Sequence, residues 1–165
     1  MPRVRLDEID RHILRDLQAN GRITNVELAE RAGISAPPCL RRVRALEAAG
    51  YIRGYHADLA PDMLGFEVTF FALVGLESQA QDRLKAFEDL VKLWPEVREC
   101  QMVRGGGDFL LKLLAHNTAH ENALTQKLTS AKDVIRVTTF PVIRTSKAEP
   151  GIPLDEAPAM NTAAS

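Results

Sequence analysis

The sequence predicts an α+β fold in two parts. Three observations carry it. Apolar residues recur at helical spacing through the first fifty positions, they switch to strict alternation at Phe66, and strand and helix signals then follow one another to Ile143. In residues 6–20, Leu6, Ile9, Ile13, Leu14 and Leu17 make one helical face, with Asp7 as N-cap and Gly21 where a C′ glycine would end the helix. Thr24-Asn25-Val26-Glu27 reads as a T-x-x-E capping box, opening a short helix that turns Val26, Leu28, Ala29 and Ala32 inward. Gly33 breaks it and Ser35 stands as the next N-cap. Pro37 and Pro38 fall in the first turn of the third helix, where a missing N–H costs little. Leu40, Val43 and Leu46 mark its buried stripe, and Gly50 ends it.

Two helices joined by so short a turn form a helix-turn-helix, the second helix being the one that enters a DNA groove. Residues 51–59, YIRGYHADL, are strand-like with a central glycine and suit a small β wing. Residues 60–62 read as a hinge. The second half follows as a strand over 66–76, a helix over 78–94 closed by Trp94-Pro95, strands over 97–104 and 108–115, a helix over 118–128 and a strand over 134–143. Pro141 places that last strand at a sheet edge. The order β-α-β-β-α-β is that of a ferredoxin-like sandwich, a four-stranded antiparallel sheet with two helices on one face. The other face, bearing Phe71, Leu73, Leu110 and Leu114, needs a cover, and a second copy of the sheet supplies the simplest one. The expected division is 1–60 for the winged helix-turn-helix, 61–154 for an effector-binding and oligomerisation domain, and 155–165 as a disordered tail.

The chain has 165 residues, 45% of them apolar and 26% charged, as expected of an ordinary globular protein. Its net charge of −1 hides a split. Residues 1–60 hold ten arginines and no lysine against eight acids, a net of +2, while the remainder carries eleven basic against fourteen acidic residues, a net of −3. The excess of positive charge thus sits with the helix-turn-helix, and Arg41, Arg42 and Arg44 concentrate it on the third helix. Cys39 and Cys100 lie too far apart in sequence for a metal-type pair and imply reduced thiols. The N-terminus lacks the apolar stretch of a signal peptide, and the longest apolar run is too short to span a bilayer as a helix, so a cytoplasmic, nucleoid-associated protein is expected. His116 and His120 lack the helical context of a metal site. With no P-loop, nucleophile elbow or paired catalytic carboxylates, neither a cofactor nor an enzymatic activity is expected.

The polar face of the third helix is the candidate DNA reader. Arg41, Arg42 and Arg44 can fork onto guanine edges or hold phosphates, small residues Ser35, Ala36, Pro37 and Cys39 at the tip let the backbone come close, and the helix N-terminus favours a phosphate. Taken without their setting, three arginines would be only a solvated helix face. The capped helices, the glycine turn and the wing supply the setting.

The stretch GRITNVELAERAGISAPPCLRRVRALEAAGYIRGY closely resembles the N-terminal domain of the Lrp/AsnC (leucine-responsive, feast/famine) regulators. The resemblance continues through VRECQMVRGGGDFLLKL and reaches about Leu154. It implies a transcriptional regulator that binds double-stranded promoter DNA, forms dimers that assemble further, often to octamers, and responds to an amino acid. It also implies an effector site at the turn between the second and third strands, drawn from Met102, Gly105, Gly106, Gly107 and Asp108. Glycines there expose backbone N–H groups to a ligand carboxylate and Asp108 can accept from an ammonium group. The same residues alone read as an ordinary glycine-rich hairpin. Two departures stand out: Pro37 occupies a position where the family often has a hydroxyl residue, and Gly106 and Gly107 stand where the family carries side chains. Two alternative function classes stand beside it: a tetrapyrrole-processing enzyme on the same fold, and a low-specificity architectural protein that wraps DNA with little sequence choice.

Overall fold

The computed structural model describes residues 6–154, and the 155–165 tail lies outside them. The chain forms two compact units. Among the described residues, one holds 6–58 together with 147–154, and the other is Leu59–Ser146. The return of the chain after residue 146 was not foreseen by the expected 61–154 boundary. Its cause is a two-bond clamp: Gln18 Nε2 donates to the Ile152 carbonyl oxygen at 2.8 Å, and Ile152 N–H donates to Gln18 Oε1 at 2.9 Å.

The first unit contains α1 (Glu8–Ala19), α2 (Asn25–Arg31) and α3 (Ala36–Ala48). Asp7 caps α1 in a reciprocal box with Asp10, and Thr24 caps α2 in the same way with Glu27. Helix α2 stops in a Schellman turn: Ile34 N–H reaches the Ala29 carbonyl, Gly33 N–H reaches that of Glu30, and Gly33 takes the left-handed φ of +68° that such a turn needs. Gly21 adopts no left-handed angle. Helix α1 ends instead on extended Asn20, whose side-chain Oδ1 accepts from Arg22 N–H. The core here is Ile13, Leu28, Ala29, Cys39 and Leu46. Val26 is exposed, contrary to its inward assignment. Residues 51–60, the expected wing, form no strand ladder within the chain.

The second unit runs β1 (Val68–Leu76), α4 (Gln81–Val91), β2 (Val97–Met102), β3 (Phe109–Ala115), α5 (Thr118–Thr129) and β4 (Val134–Pro141). The strand order is β2-β3-β1-β4, antiparallel throughout, with β4 on the expected edge. Alternation along β1 and β3 decides the layers. Phe70, Ala72, Val74, Phe109, Leu111 and Leu113 are buried beneath Leu84, Phe87 and Val91 of α4 and Leu124 and Leu128 of α5. Phe71, Leu73, Leu110 and Leu114 occupy the opposite face and stay half-buried in the single chain.

Candidate nucleic-acid interface and effector turn

Helix α3 is held by its neighbours at both ends. Asn25 at the start of α2 donates through Nδ2 to the Ala36 carbonyl at 2.9 Å, and Tyr55 donates to Glu47 Oε1 at 2.9 Å. The buried stripe runs Cys39, Val43, Leu46: Val43 and Leu46 face inward as expected, and Cys39 takes the place expected for Leu40. Cys39 is 0% exposed and Leu40 is 39% exposed. Cys39 is therefore a core residue and no DNA contact, and burial pushes its thiol pKa up. Arg42 departs from expectation as well. Its Nη1 meets Asp10 Oδ1 at 2.7 Å and Asp7 Oδ2 at 2.8 Å, fastening α3 to the capping box of α1. These bonds raise the Arg42 pKa. The hydrogen bond from Asp10 N–H, followed by those from Arg42, lowers that of Asp7.

Pro37, Arg41 and Arg44 lie on successive turns of one exposed face. Arg41 and Arg44 form no hydrogen bond or ion pair with a described residue. At the tip, Ser35 occupies the N-cap but its hydroxyl makes no capping bond. The reason is local: an N-cap oxygen accepts from the second or third helical N–H, and those residues are Pro37 and Pro38. Ala36 keeps the one N–H among the first three helical residues. The expected phosphate site at this helix N-terminus therefore lacks most of its donors.

The effector turn joins β2 to β3. Val103 N–H donates to the Asp108 carbonyl at 2.9 Å and Asp108 N–H to that of Val74 at 2.8 Å. The Asp108 carboxylate is engaged by the fold: Oδ2 accepts from Leu76 N–H at 2.7 Å and Oδ1 from Gln79 Nε2 at 2.8 Å. It ties β1 and the loop before α4 to the turn, each oxygen accepting one hydrogen bond. Gly107 is fixed by packing, since a Cβ there would lie 2.8 Å from Leu73 Cγ and 3.0 Å from the Val74 carbonyl oxygen. Gly105 and Gly106 are exposed, and Met102 is 56% exposed near the end of β2. Among the described residues no group of three or more His, Cys, Asp or Glu could hold a metal ion. His116 and His120 instead stack ring on ring at 5.2 Å.

Residues 6–53 match the family described as winged helix-turn-helix DNA-binding, and residues 69–152 match the Lrp/AsnC ligand binding domain. The chain belongs to the Lrp/AsnC family. It is 53% identical over 146 residues to the leucine-responsive regulatory protein of Rhizobium meliloti, covering 88% of this chain and 94% of that one. A transcriptional regulator from Neisseria meningitidis, solved as its L-Met complex, superposes with a TM-score of 0.86 at 36% identity, over 92% of this chain and 98% of that one. A feast or famine regulatory protein from M. tuberculosis complexed with L-methionine superposes with a TM-score of 0.80 at 29% identity, over 90% and 99%.

This Lrp/AsnC chain is thus a DNA-binding transcription regulator whose second unit is the family's ligand-binding domain. No helix among its described residues is long and apolar enough to cross a membrane. Two elements of the sites escaped the sequence reading of this regulator. The Arg42 staple was hidden because Arg42 looks like its neighbours Arg41 and Arg44. Its phase, one position before the half-buried Val43, was the available signal. Arg136, which donates to the Gly106 carbonyl oxygen, sits thirty residues from the turn, and only the strand register brings it there.

Proposed function

We propose that this regulator reads promoter DNA with the outward stripe of α3 and that its binding responds to an amino acid or related small metabolite at the 105–108 turn. The observation that carries the first half is the pair of uncommitted guanidinium groups of Arg41 and Arg44 on the face shared with Pro37. Set in a major groove, such a pair can fork onto guanine edges, and the small tip residues Ser35 and Ala36 let the helix approach closely. Arg42 supports the reader from behind through α1. The second half is supported by the exposed glycine backbone of the turn and by the L-methionine bound to two relatives of the same fold. The half-buried apolar sheet face supports a homodimer, and family resemblance extends it to an octamer. The protein acts as a regulator and not as an enzyme, in the cytoplasm at the nucleoid.

Fragments of source genomic DNA bound by the purified protein, with and without an amino-acid pool, supply the target duplex for an anisotropy titration. Arg41→Ala and Arg44→Ala are each expected to weaken specific binding by roughly 1–3 kcal/mol if they read bases. Arg42→Ala is expected to lower the melting temperature of the first unit while the correctly folded fraction keeps its sequence preference. A double Arg41→Ala/Arg44→Ala variant that binds like wild type removes α3's outer stripe as the reader.

A further inference from the structure

Helix α3 carries an apolar side chain among the charges of its outward face. Leu40 is its fifth residue, near the N-terminal end, the part of a recognition helix that approaches base edges. Cys39 and Val43 take the inward positions around it. Leu40 is turned about 100° from Cys39 and keeps 39% of its surface exposed. Pro37 precedes it by three positions and Arg44 follows by four, the spacings that make neighbours on a helix surface. Arg41 and Arg44 beside it form no hydrogen bond or ion pair with a described residue. On its inner flank Leu40 lines a shallow groove together with Leu17, Ile23, Val43 and Tyr55, and Tyr55 is itself held by its bond to Glu47. The leucine is therefore backed by apolar surface and presents the rest of itself outward.

When α3 docks in a major groove, that outward remainder loses its water. The base edges offer one apolar group there, the C5 methyl of thymine, and are otherwise hydrogen-bond donors and acceptors. A leucine set against those would leave them dry and unpaired, at a cost. We propose that Leu40 is a specificity-determining residue that reads the C5 methyl of a thymine, in the same site as the bases taken by Arg41 and Arg44. This rests on the outward stripe of α3 being the DNA reader. The arginines supply charge and hydrogen bonds, and Leu40 adds a contact that only a 5-methylpyrimidine completes. Burying about one carbon of apolar surface changes affinity about fourfold.

The test resynthesises the duplex selected from genomic fragments with each thymine in turn replaced by deoxyuridine, which pairs alike and lacks only the methyl. Anisotropy titration of the full chain is expected to find a position where the replacement weakens binding about fourfold. At that position Leu40→Ala is expected to bind the thymine and deoxyuridine duplexes alike, with the affinity that wild type shows for the deoxyuridine one. Leu40→Gln, which keeps the length of the side chain and can hold its polar end in water, is expected to lose the methyl dependence in the same way. A wild-type chain indifferent to every thymine methyl, or a methyl dependence that survives in either variant, overturns the inference. If Arg41→Ala/Arg44→Ala still loses specific binding in that case, α3 stands as the reader. A double arginine variant that binds like wild type overturns both.

Discussion

The Tyr55 hydroxyl donates to Glu47 Oε1 and its ring lies against Gly21, where a Cβ would stand 3.6 Å from Cδ1. One side chain thus ties the segment after α3 back to α3 and to the end of α1. Burial in the first place, and the Glu47 carboxylate in the second, push the Tyr55 pKa up to about 12. The unfolded phenol titrates near its ordinary 10, so the folded state favours the protonated form. The resulting stability is fully present below pH 10 and is lost as the pH rises toward 12. Only Tyr51 and Tyr55 are present, so absorbance at high pH on a Tyr51→Phe variant follows Tyr55 alone. A midpoint near 12 is expected, falling only part of the way in Glu47→Gln. A midpoint near 10 in the folded variant contradicts this packing. At this scale the sequence is a partial guide. The Asp7 and Thr24 caps were legible because their partners lie three residues away. The roles of Cys39 and Arg42 were not, because helical phase and partners on another helix determine them.

Among the elements, the β2–β3 turn shows how a ligand loop can be held by its own glycines. The family resemblance made the three glycines look like openings for a ligand, and position by position they differ. Gly107 has no room for a side chain against Leu73 and the Val74 carbonyl, whereas a Cβ at Gly106 meets Leu73 Cδ2 at an ordinary 3.7 Å. Gly107→Ala is therefore expected to cost about 1–3 kcal/mol of stability as overpacking, and Gly106→Ala to stay within about 0.5 kcal/mol. Denaturant unfolding of the two variants separates them, and equal effects would mean that β1 does not press on the turn. Strand periods and glycine breaks located β1 through β4 to within a few residues. The wing was legible only in part: the first unit matches a winged helix-turn-helix family, but residues 51–59 form no ladder within the chain, since a strand needs a hydrogen-bonding partner, which composition does not supply.

For the whole molecule, the sheet order places two helices over one face and leaves Phe71, Leu73, Leu110 and Leu114 on the other. That asymmetry was readable from sequence, because alternation assigns faces and a strand apolar on both faces must be covered on both. The return of the chain to α1 through Ile152 was not readable, since it depends on one glutamine meeting backbone groups 134 residues away. If a second copy covers the open face, a two-fold interface uses each residue twice, so a single charged substitution acts in both protomers. Burying one leucine contributes about 1.5–3 kcal/mol, so losing two copies costs roughly 3–6 kcal/mol, or about a 10²- to 10⁴-fold weaker dimer. Leu114→Glu is the variant to use, because Leu114 points away from the helix-side core and lies opposite Thr69, clear of the effector turn. Sedimentation across a dilution series should show a folded monomer at concentrations where wild type is dimeric. A Leu114→Glu chain that dimerises as tightly as wild type would move the interface off the sheet, to the exposed Leu59, Met63 and Leu64 at the start of the second unit.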